Sequence, residues 1–182
     1  MKKRLSGKRA RSRRIIMHSA KRLFEEKGIG HVTFNDIAEE SEMCRTTIFN
    51  HFATINDLYY ALIDEEVKDL VDLYKSGGKT GKDAIEELFQ KLLEDTEKYP
   101  VLASKLLNNA MIRDDEAPAF QRIESIVWEN LPDLPEHEKD DRVVMITGVY
   151  YALLNHYFIN KKEFDAARMH ETFCRLAAPY MC

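Results

Sequence analysis

Apolar residues recur at intervals of three and four along most of the chain, which is the spacing of amphipathic helices. Alternation of apolar and polar residues over the length of a strand is absent, and β-branched residues are scattered. We therefore predict an all-α fold, in which the glycine-rich segment 76–81 is a linker between two halves. The predicted helices cover residues 10–27, 33–40, 45–52, 56–75, 82–98, 100–113, 117–131, 138–160 and 163–180.

The predicted helix over 138–160 is apolar on most of its circumference, whereas a surface helix of a monomer shows a single apolar stripe. Burial on two sides favours a partner subunit on one of them, and the last helix adds further apolar residues. The alternative is a central helix in a larger monomeric bundle. We predict a homodimer whose interface contains Val149, Leu153, Tyr157, Phe173, Leu176 and Tyr180.

Charge is distributed unevenly along the 182 residues, whose net charge is −4. Residues 1–60 hold 12 basic and 7 acidic residues, whereas residues 61–182 hold 15 and 24. The first 14 residues contain eight Lys or Arg and no acid. A basic arm on an acidic body predicts a polyanion as the partner of the N-terminal end, and the alternative is a solvated tail.

Other classes of protein find little support in the sequence. No apolar run approaches the roughly 18 residues that cross a bilayer. The apolar run at residues 15–17 is also too short for the core of a secretory signal. The three cysteines form no CxxC pair, and the six histidines form no metal-binding motif. We expect a soluble, cytoplasmic protein without a metal, cofactor, membrane partner or catalytic activity. A small helical enzyme and a basic-arm interaction module without operator specificity remain the alternatives.

The segment 33–52, TFNDIAEESEMCRTTIFNHF, predicts two short helices joined by a tight turn, which is a helix-turn-helix. The second helix is too short to be stable alone, so apolar neighbours must hold it through Ile48 and Phe52. Its polar residues are then free to enter the major groove, where Arg bonds guanine and Asn bonds adenine. Thr33, at a helix N-terminus, offers a hydroxyl and an amide to phosphate. The predicted DNA-binding residues are Thr33, Arg45, Thr46, Thr47, Phe49, Asn50 and His51.

The same region resembles the DNA-binding domain of TetR-type transcriptional regulators over about 50 residues. The resemblance is carried by the stretches Arg14–Gly28, Thr33–Ala38, Thr46–Phe52 and Asp57–Leu58. It implies a three-helix DNA-binding domain over 1–55, including the basic arm, and a helical domain over 56–182 that binds an effector and dimerises. It also implies a repressor that a small-molecule ligand releases from operator DNA. In a dimer, the operator is expected to be roughly palindromic, with half-sites about one helical turn apart or slightly more.

Four residues depart from the pattern of that family. Glu42 stands where the inter-helix turn usually has Gly, and Cys44 stands where the second helix usually begins with Ser. Phe49 and Ile55 replace a Tyr and a Lys that contact phosphate in the family, and we hypothesise that the basic arm compensates for those contacts. A thiol at a helix N-terminus suggests a redox switch at Cys44, but a small buried turn residue is the favoured interpretation.

The effector pocket is predicted on the central helices, although core packing is the competing interpretation for each residue. Asn155 is a polar group in an apolar helix, and if it is buried it needs a protein or ligand partner. Because the long helix carries no Lys or Arg after Arg142 at its start, we expect a mostly apolar ligand that is neutral or cationic. The predicted pocket residues are Phe89, Leu93, Met111, Phe120, Trp128, Tyr151 and Asn155.

Overall fold

The computed structural model describes the backbone of residues 2–103 and 118–182, and the side chains of 7–103 and 121–182. Within these ranges all regular structure is helical, which confirms the predicted all-α fold. No helix in the described ranges combines the length and the apolar character needed to cross a bilayer. The helices are α1 (Lys2–Lys27), α2 (Phe34–Glu40), α3 (Arg45–Phe49), α4 (Ile55–Gly77), α5 (Gly81–Lys98), α6 (Pro118–Asn130), α7 (Glu136–Ile159) and α8 (Ala166–Ala177), with 3-10 turns at Ile29–His31 and Ala178–Tyr180.

The chain divides into two compact units, Met1–Glu65 and Glu66–Cys182, and the division lies inside α4. This division lies ten residues after the predicted boundary at residue 55, because the first turns of α4, with buried Leu58 and Tyr59, belong to the first unit. The glycine-rich segment 76–81 does not separate the two units. It joins α4 to α5 within the second one.

In the first unit, α1 packs against α2, and α2 packs against α3. The buried side chains Ile16, Phe24, Ile37 and Ile48 form the core of this unit. An ion pair joins Lys27 to Asp36 at 2.7 Å, and another joins Arg22 to Glu40, so that charged side chains at the surface also connect α1 with α2.

Helix α1 begins about eight residues before the predicted start at residue 10. The prediction used the apolar stripe, which begins only at Ile15, whereas the preceding Lys and Arg residues are themselves good helix formers. The helix ends at Gly28, whose φ of +79° is a conformation that glycine adopts without steric cost.

In the second unit, α5 packs against α6 and α8, and α7 packs against α6 and α8. An aromatic cluster lies at the centre of this unit. The rings of Phe89 and Phe173 stack at 4.3 Å, and Tyr150 lies 5.5 Å from Phe89. The Tyr150 hydroxyl is 3.2 Å from the Thr96 hydroxyl, and burial raises the pKa of Tyr150 to about 12. Helix α8 begins at Ala166, later than predicted, because the Asp165 side chain caps it by accepting the Arg168 amide.

These contacts correct the predicted dimer interface. Phe173 is fully buried within its own chain, so it is a core residue and not an interface residue. Leu153 and Tyr157 are also largely buried within the chain, whereas Leu176 is 44% exposed. The apolar pattern identified buried positions of α8 but did not distinguish its own core from a partner subunit.

Candidate nucleic-acid interface

A complete capping box begins α2. The Asp36 carboxylate accepts the Thr33 amide at 2.8 Å, and the Asp36 amide donates to the Thr33 hydroxyl at 3.3 Å. The Thr33 hydroxyl also donates to Asp36, and Lys27 and these bonds hold the pKa of the Asp36 carboxyl well below its usual range. The amide and hydroxyl that the sequence assigned to phosphate are thus already paired, and Thr33 acts here as a helix cap.

The turn between α2 and α3 covers residues 41–44. The Ser41 hydroxyl donates to the Ile37 carbonyl at 2.6 Å, and the Met43 amide donates to the Ala38 carbonyl at 3.1 Å. Glu42 adopts a φ of +52°, the left-handed conformation that a glycine at this place would accept without strain.

Helix α3 has only five residues and is held in place from one side. Ile48 is fully buried and Phe52 is 3% exposed, so these two apolar residues anchor the helix to the rest of the first unit. On the opposite side Arg45, Thr46 and Asn50 are exposed. Thr47 and His51 are half-buried at the edges of this polar surface.

An aromatic ring also belongs to the exposed surface of α3. Phe49 is 44% exposed, and its ring packs edge to face against Phe34 at a centroid distance of 4.6 Å. The Arg45 guanidinium lies 5.2 Å from the centre of the Phe49 ring, within the range of a cation–π contact. Phe49 therefore restricts where Arg45 can reach.

Cys44, at the N-terminus of α3, is exposed, so the favoured prediction of a buried turn residue is wrong. Its Sγ lies 2.9 Å from the Thr47 hydroxyl. This hydrogen bond and those from neighbouring amides lower the pKa of the Cys44 thiol. Cys44 is exposed because it immediately precedes the polar side of α3, which faces the solvent.

Two arginines of α1 lie against the C-terminal end of α3, a contact that the sequence reasoning missed. Arg9 donates to the Asn50 carbonyl at 3.4 Å, and the Arg13 guanidinium lies 4.4 Å from the centre of the Phe52 ring. Burial lowers the pKa of His51, and the charges of Arg9 and Arg13 lower it further. The regular spacing of Arg9 and Arg13 with buried Ile16 and Ala20 was the signal that they share one face of α1.

The predicted effector residues differ in their exposure among the described side chains. Phe89 and Leu93 are fully buried in the core, whereas Trp128 and Tyr151 are half-buried. Asn155 is exposed on the uncovered side of α7, so within its own chain it is not a buried polar group that needs a partner. Met111 and the side chain of Phe120 lie outside the described residues.

The described residues contain no group of three or more His, Cys, Asp or Glu suited to a metal ion. Among the described residues, the exposed surface of α3 groups the side chains best suited to bind a partner. We name this surface, made of Arg45, Thr46, Phe49 and Asn50 with Thr47 and His51 at its edges, the α3 face.

A capped helix, a tight turn and a short second helix with a polar outer face define a helix-turn-helix DNA-binding unit. Residues 16–62 match the family described as bacterial regulatory proteins, tetR family. Over this segment the chain is similar to the tetR family, as the resemblance in its sequence implied.

A curated relative shows the same similarity over a longer part of the chain. Over 110 residues the chain is 28% identical to the HTH-type transcriptional repressor AcnR of Corynebacterium glutamicum, a match that covers 60% of the chain and 54% of AcnR. The chain thus spans about half the length of the curated relatives that it matches.

Two solved structures share the fold at low sequence identity. A TetR transcriptional regulator from Rhodococcus sp. RHA1 has a TM-score of 0.69 at 12% identity and covers 94% of this chain and 97% of its own. The transcriptional regulator FadR from Bacillus subtilis, solved with stearoyl-CoA, has a TM-score of 0.68 at 15% identity. The match covers 92% of this chain and 98% of the FadR chain.

Proposed function

We propose that the protein is a sequence-specific DNA-binding transcriptional regulator that acts as a repressor. The observation that carries this proposal is the α3 face, where polar side chains point outward from a helix anchored by buried Ile48 and Phe52. Repression is supported by the relatives' description as repressors.

The α3 face offers the side chains that read base edges in the major groove. Arg45 can donate two hydrogen bonds to guanine, and Asn50 can exchange two with adenine. Thr46 and the partly exposed His51 have shorter side chains, which can make polar contacts to bases or phosphate. Phe49 provides an apolar surface suited to a thymine methyl group.

Selection of bound duplexes from a random library tests this proposal. We expect the protein to recover a roughly palindromic operator with half-sites about 34–36 Å apart, or slightly more. The variant Asn50→Ala is expected to weaken the selected preference, whereas Lys75→Ala, which removes an exposed cation of the second unit, is expected to keep it. Recovery of no shared sequence by the wild-type protein would reject the proposal.

We also propose that the protein is a homodimer that uses the uncovered side of α7. Met145, Ala152 and Ile159 recur every seven residues on this helix, and all three are exposed although apolar. Leu176 on α8 is a further exposed apolar residue. A charged residue on this surface would oppose its own copy across a two-fold axis.

Sedimentation analysis tests the dimer. Ala152→Glu is expected to shift the protein to monomers, whereas Ala167→Glu, at another exposed position on α8, is expected to leave the dimer intact. Equal sedimentation of the two variants and the wild type as dimers would place the interface elsewhere.

We propose further that a mostly apolar, neutral or cationic effector releases the operator. The ligand-bound FadR structures support an effector for this fold, although their ligands are acyl-CoA anions. In this chain Arg142 on α7 donates to the carbonyls of Tyr180 and Cys182, and Lys139 on the same helix lies over the Trp128 ring, so both of these cations are already engaged. Trp128 and Tyr151 supply half-buried aromatic rings.

Release of fluorescent operator DNA by two probes tests the effector class. Tetraphenylphosphonium, an apolar cation, is expected to release the duplex at lower concentration than lauroyl-CoA, an apolar anion. Release by lauroyl-CoA alone would reject the proposed charge preference. Since release requires only about 1–3 kcal/mol of coupling, the expected loss of affinity is about 5- to 150-fold.

A further inference from the structure

We propose that the N-terminal half of α1 is a second DNA-contacting element, in which Lys8, Arg11 and Arg14 bind phosphates beside the site read by α3. This inference rests on the proposed DNA-binding function and adds a partner contact to it. The match to the tetR family covers residues 16–62, and we name residues 2–15, which precede it, the extension.

The extension is a continuation of α1 and not a loose tail. Helix α1 runs without interruption from Lys2 to Lys27, and its C-terminal half belongs to the core of the first unit through Ile16 and Phe24. A rigid continuation of a packed helix holds its side chains at defined positions, which reduces the entropy lost when they bind a partner.

Contacts with α3 place the extension next to the α3 face. Arg9 donates to the carbonyl of Asn50, and Arg13 lies over the Phe52 ring. Both arginines therefore face the helix-turn-helix, and a cation at the last carbonyls of α3 also complements the helix dipole. We assign Arg9 and Arg13 to positioning of the extension.

The other basic residues lie on the solvent side of the same helix. Lys8, Arg11 and Arg14 are exposed and follow one another at intervals of three residues. With a rise of 1.5 Å per residue, they extend over about 9 Å of the helix axis. No acidic residue precedes Glu25 in the sequence, so the solvent side of the extension carries uncompensated positive charge.

The composition of the extension favours phosphate over a lipid surface. Helices that lie in a membrane interface carry large apolar residues opposite their basic face. Between residues 2 and 14 the apolar residues are only Leu5 and Ala10, whereas phosphate contacts need cations without an apolar face.

Salt dependence of operator binding provides the test. The triple variant Lys8→Gln, Arg11→Gln, Arg14→Gln is compared with a control of equal charge change, Lys68→Gln, Lys75→Gln, Lys161→Gln, at exposed positions of the second unit. Each lost phosphate contact lowers the slope of log K against log salt by about 0.9, so the triple variant should lose about 2–3 per bound protomer. At 0.15 M salt each contact corresponds to about fivefold in affinity.

The order of base preference is expected to stay unchanged in the triple variant, because phosphate contacts carry no sequence information. The control is expected to keep the full slope. Equal slopes for the triple variant and the control would overturn the inference. So would a triple variant that keeps its duplex slope but loses binding to vesicles of phosphatidylserine and phosphatidylcholine.

The pKa of His51, followed by NMR, reports whether the extension still lies against α3, since Arg9 and Arg13 help to lower it. If the pKa of His51 changes in the triple variant, the salt slope is measured on the three single variants instead. Each should lower the slope by about 0.9, and a full slope in all three overturns the inference. A wild-type protein that binds no duplex would instead reject the proposed function, which separates the two failures.

Discussion

Replacing Glu42 by glycine is expected to stabilise the turn between α2 and α3, whereas replacing it by alanine is not. Glu42 has a φ of +52° and an exposed side chain, so the substitution changes the backbone preference while removing little packing. Glycine and alanine remove the same charge, and the comparison between them isolates the conformational effect.

The size of this effect follows from two opposing contributions. A non-glycine residue in the left-handed region is strained by roughly 1–2 kcal/mol. Glycine removes that strain but loses about 0.5–1 kcal/mol through the larger freedom of the unfolded chain. Relative to wild type, Glu42→Gly should therefore gain about 0.5–1 kcal/mol, and Glu42→Ala should stay within about 0.5 kcal/mol.

Amide hydrogen exchange in the full chain measures this difference locally. The Met43 amide donates to the Ala38 carbonyl across the turn, and the Phe52 amide donates to the Ile48 carbonyl at 2.9 Å. A difference of about 1 kcal/mol between the glycine and alanine variants corresponds to roughly fivefold slower exchange in the former. Equal exchange in the two variants, or faster exchange with glycine, would refute the reasoning.

Three further predictions concern the cap, the α3 face and the core. Phe49→Tyr should raise operator affinity in titrations, because the exposed ring gains a hydroxyl that can bond phosphate, worth about 1.5–3 kcal/mol; weaker binding would contradict this. Asp36→Asn should lower the thermal midpoint at neutral pH. Since pairing with Lys27 lowers the pKa of Asp36, its stabilisation is complete above about pH 4 and is lost as pH falls, so the difference from wild type should disappear in acid. A constant difference down to pH 2 would refute that cause. Phe173→Ala should destabilise the fold by about 3–5 kcal/mol in urea unfolding, whereas Leu176→Ala should mainly weaken the dimer in sedimentation; the reverse would return Phe173 to the interface.

The helix-turn-helix was predictable because its signals are local. Thr33 and Asp36 are three residues apart and form the cap that their spacing indicates. Ile48 in α3 and Phe52 just after it are four residues apart and both buried, which leaves the polar residues of the α3 face on the opposite side. The resemblance also marked the turn, since it places a glycine where Glu42 adopts a left-handed conformation.

Features that depend on contacts between distant residues were not predictable in the same way. The apolar stripe showed that Phe173 is buried, but only the stacking of its ring on Phe89 shows that its own chain covers it. Asn155 was predicted as a pocket residue because it stands in an apolar helix, although it lies on the exposed side of α7. The contact of Arg9 with Asn50 joins residues 41 positions apart, beyond the reach of local patterns.

The base preference of Arg45→Ala on single-base variants of the selected operator tests the central claim most directly. If the α3 face reads base edges, the variant should lose discrimination at one or two base pairs in each half-site, by about 1–3 kcal/mol, and keep it elsewhere. Lys75→Ala should keep the whole profile. A uniform loss of affinity at every position, with the order of preference unchanged, would show that Arg45 contacts the backbone and would contradict the account.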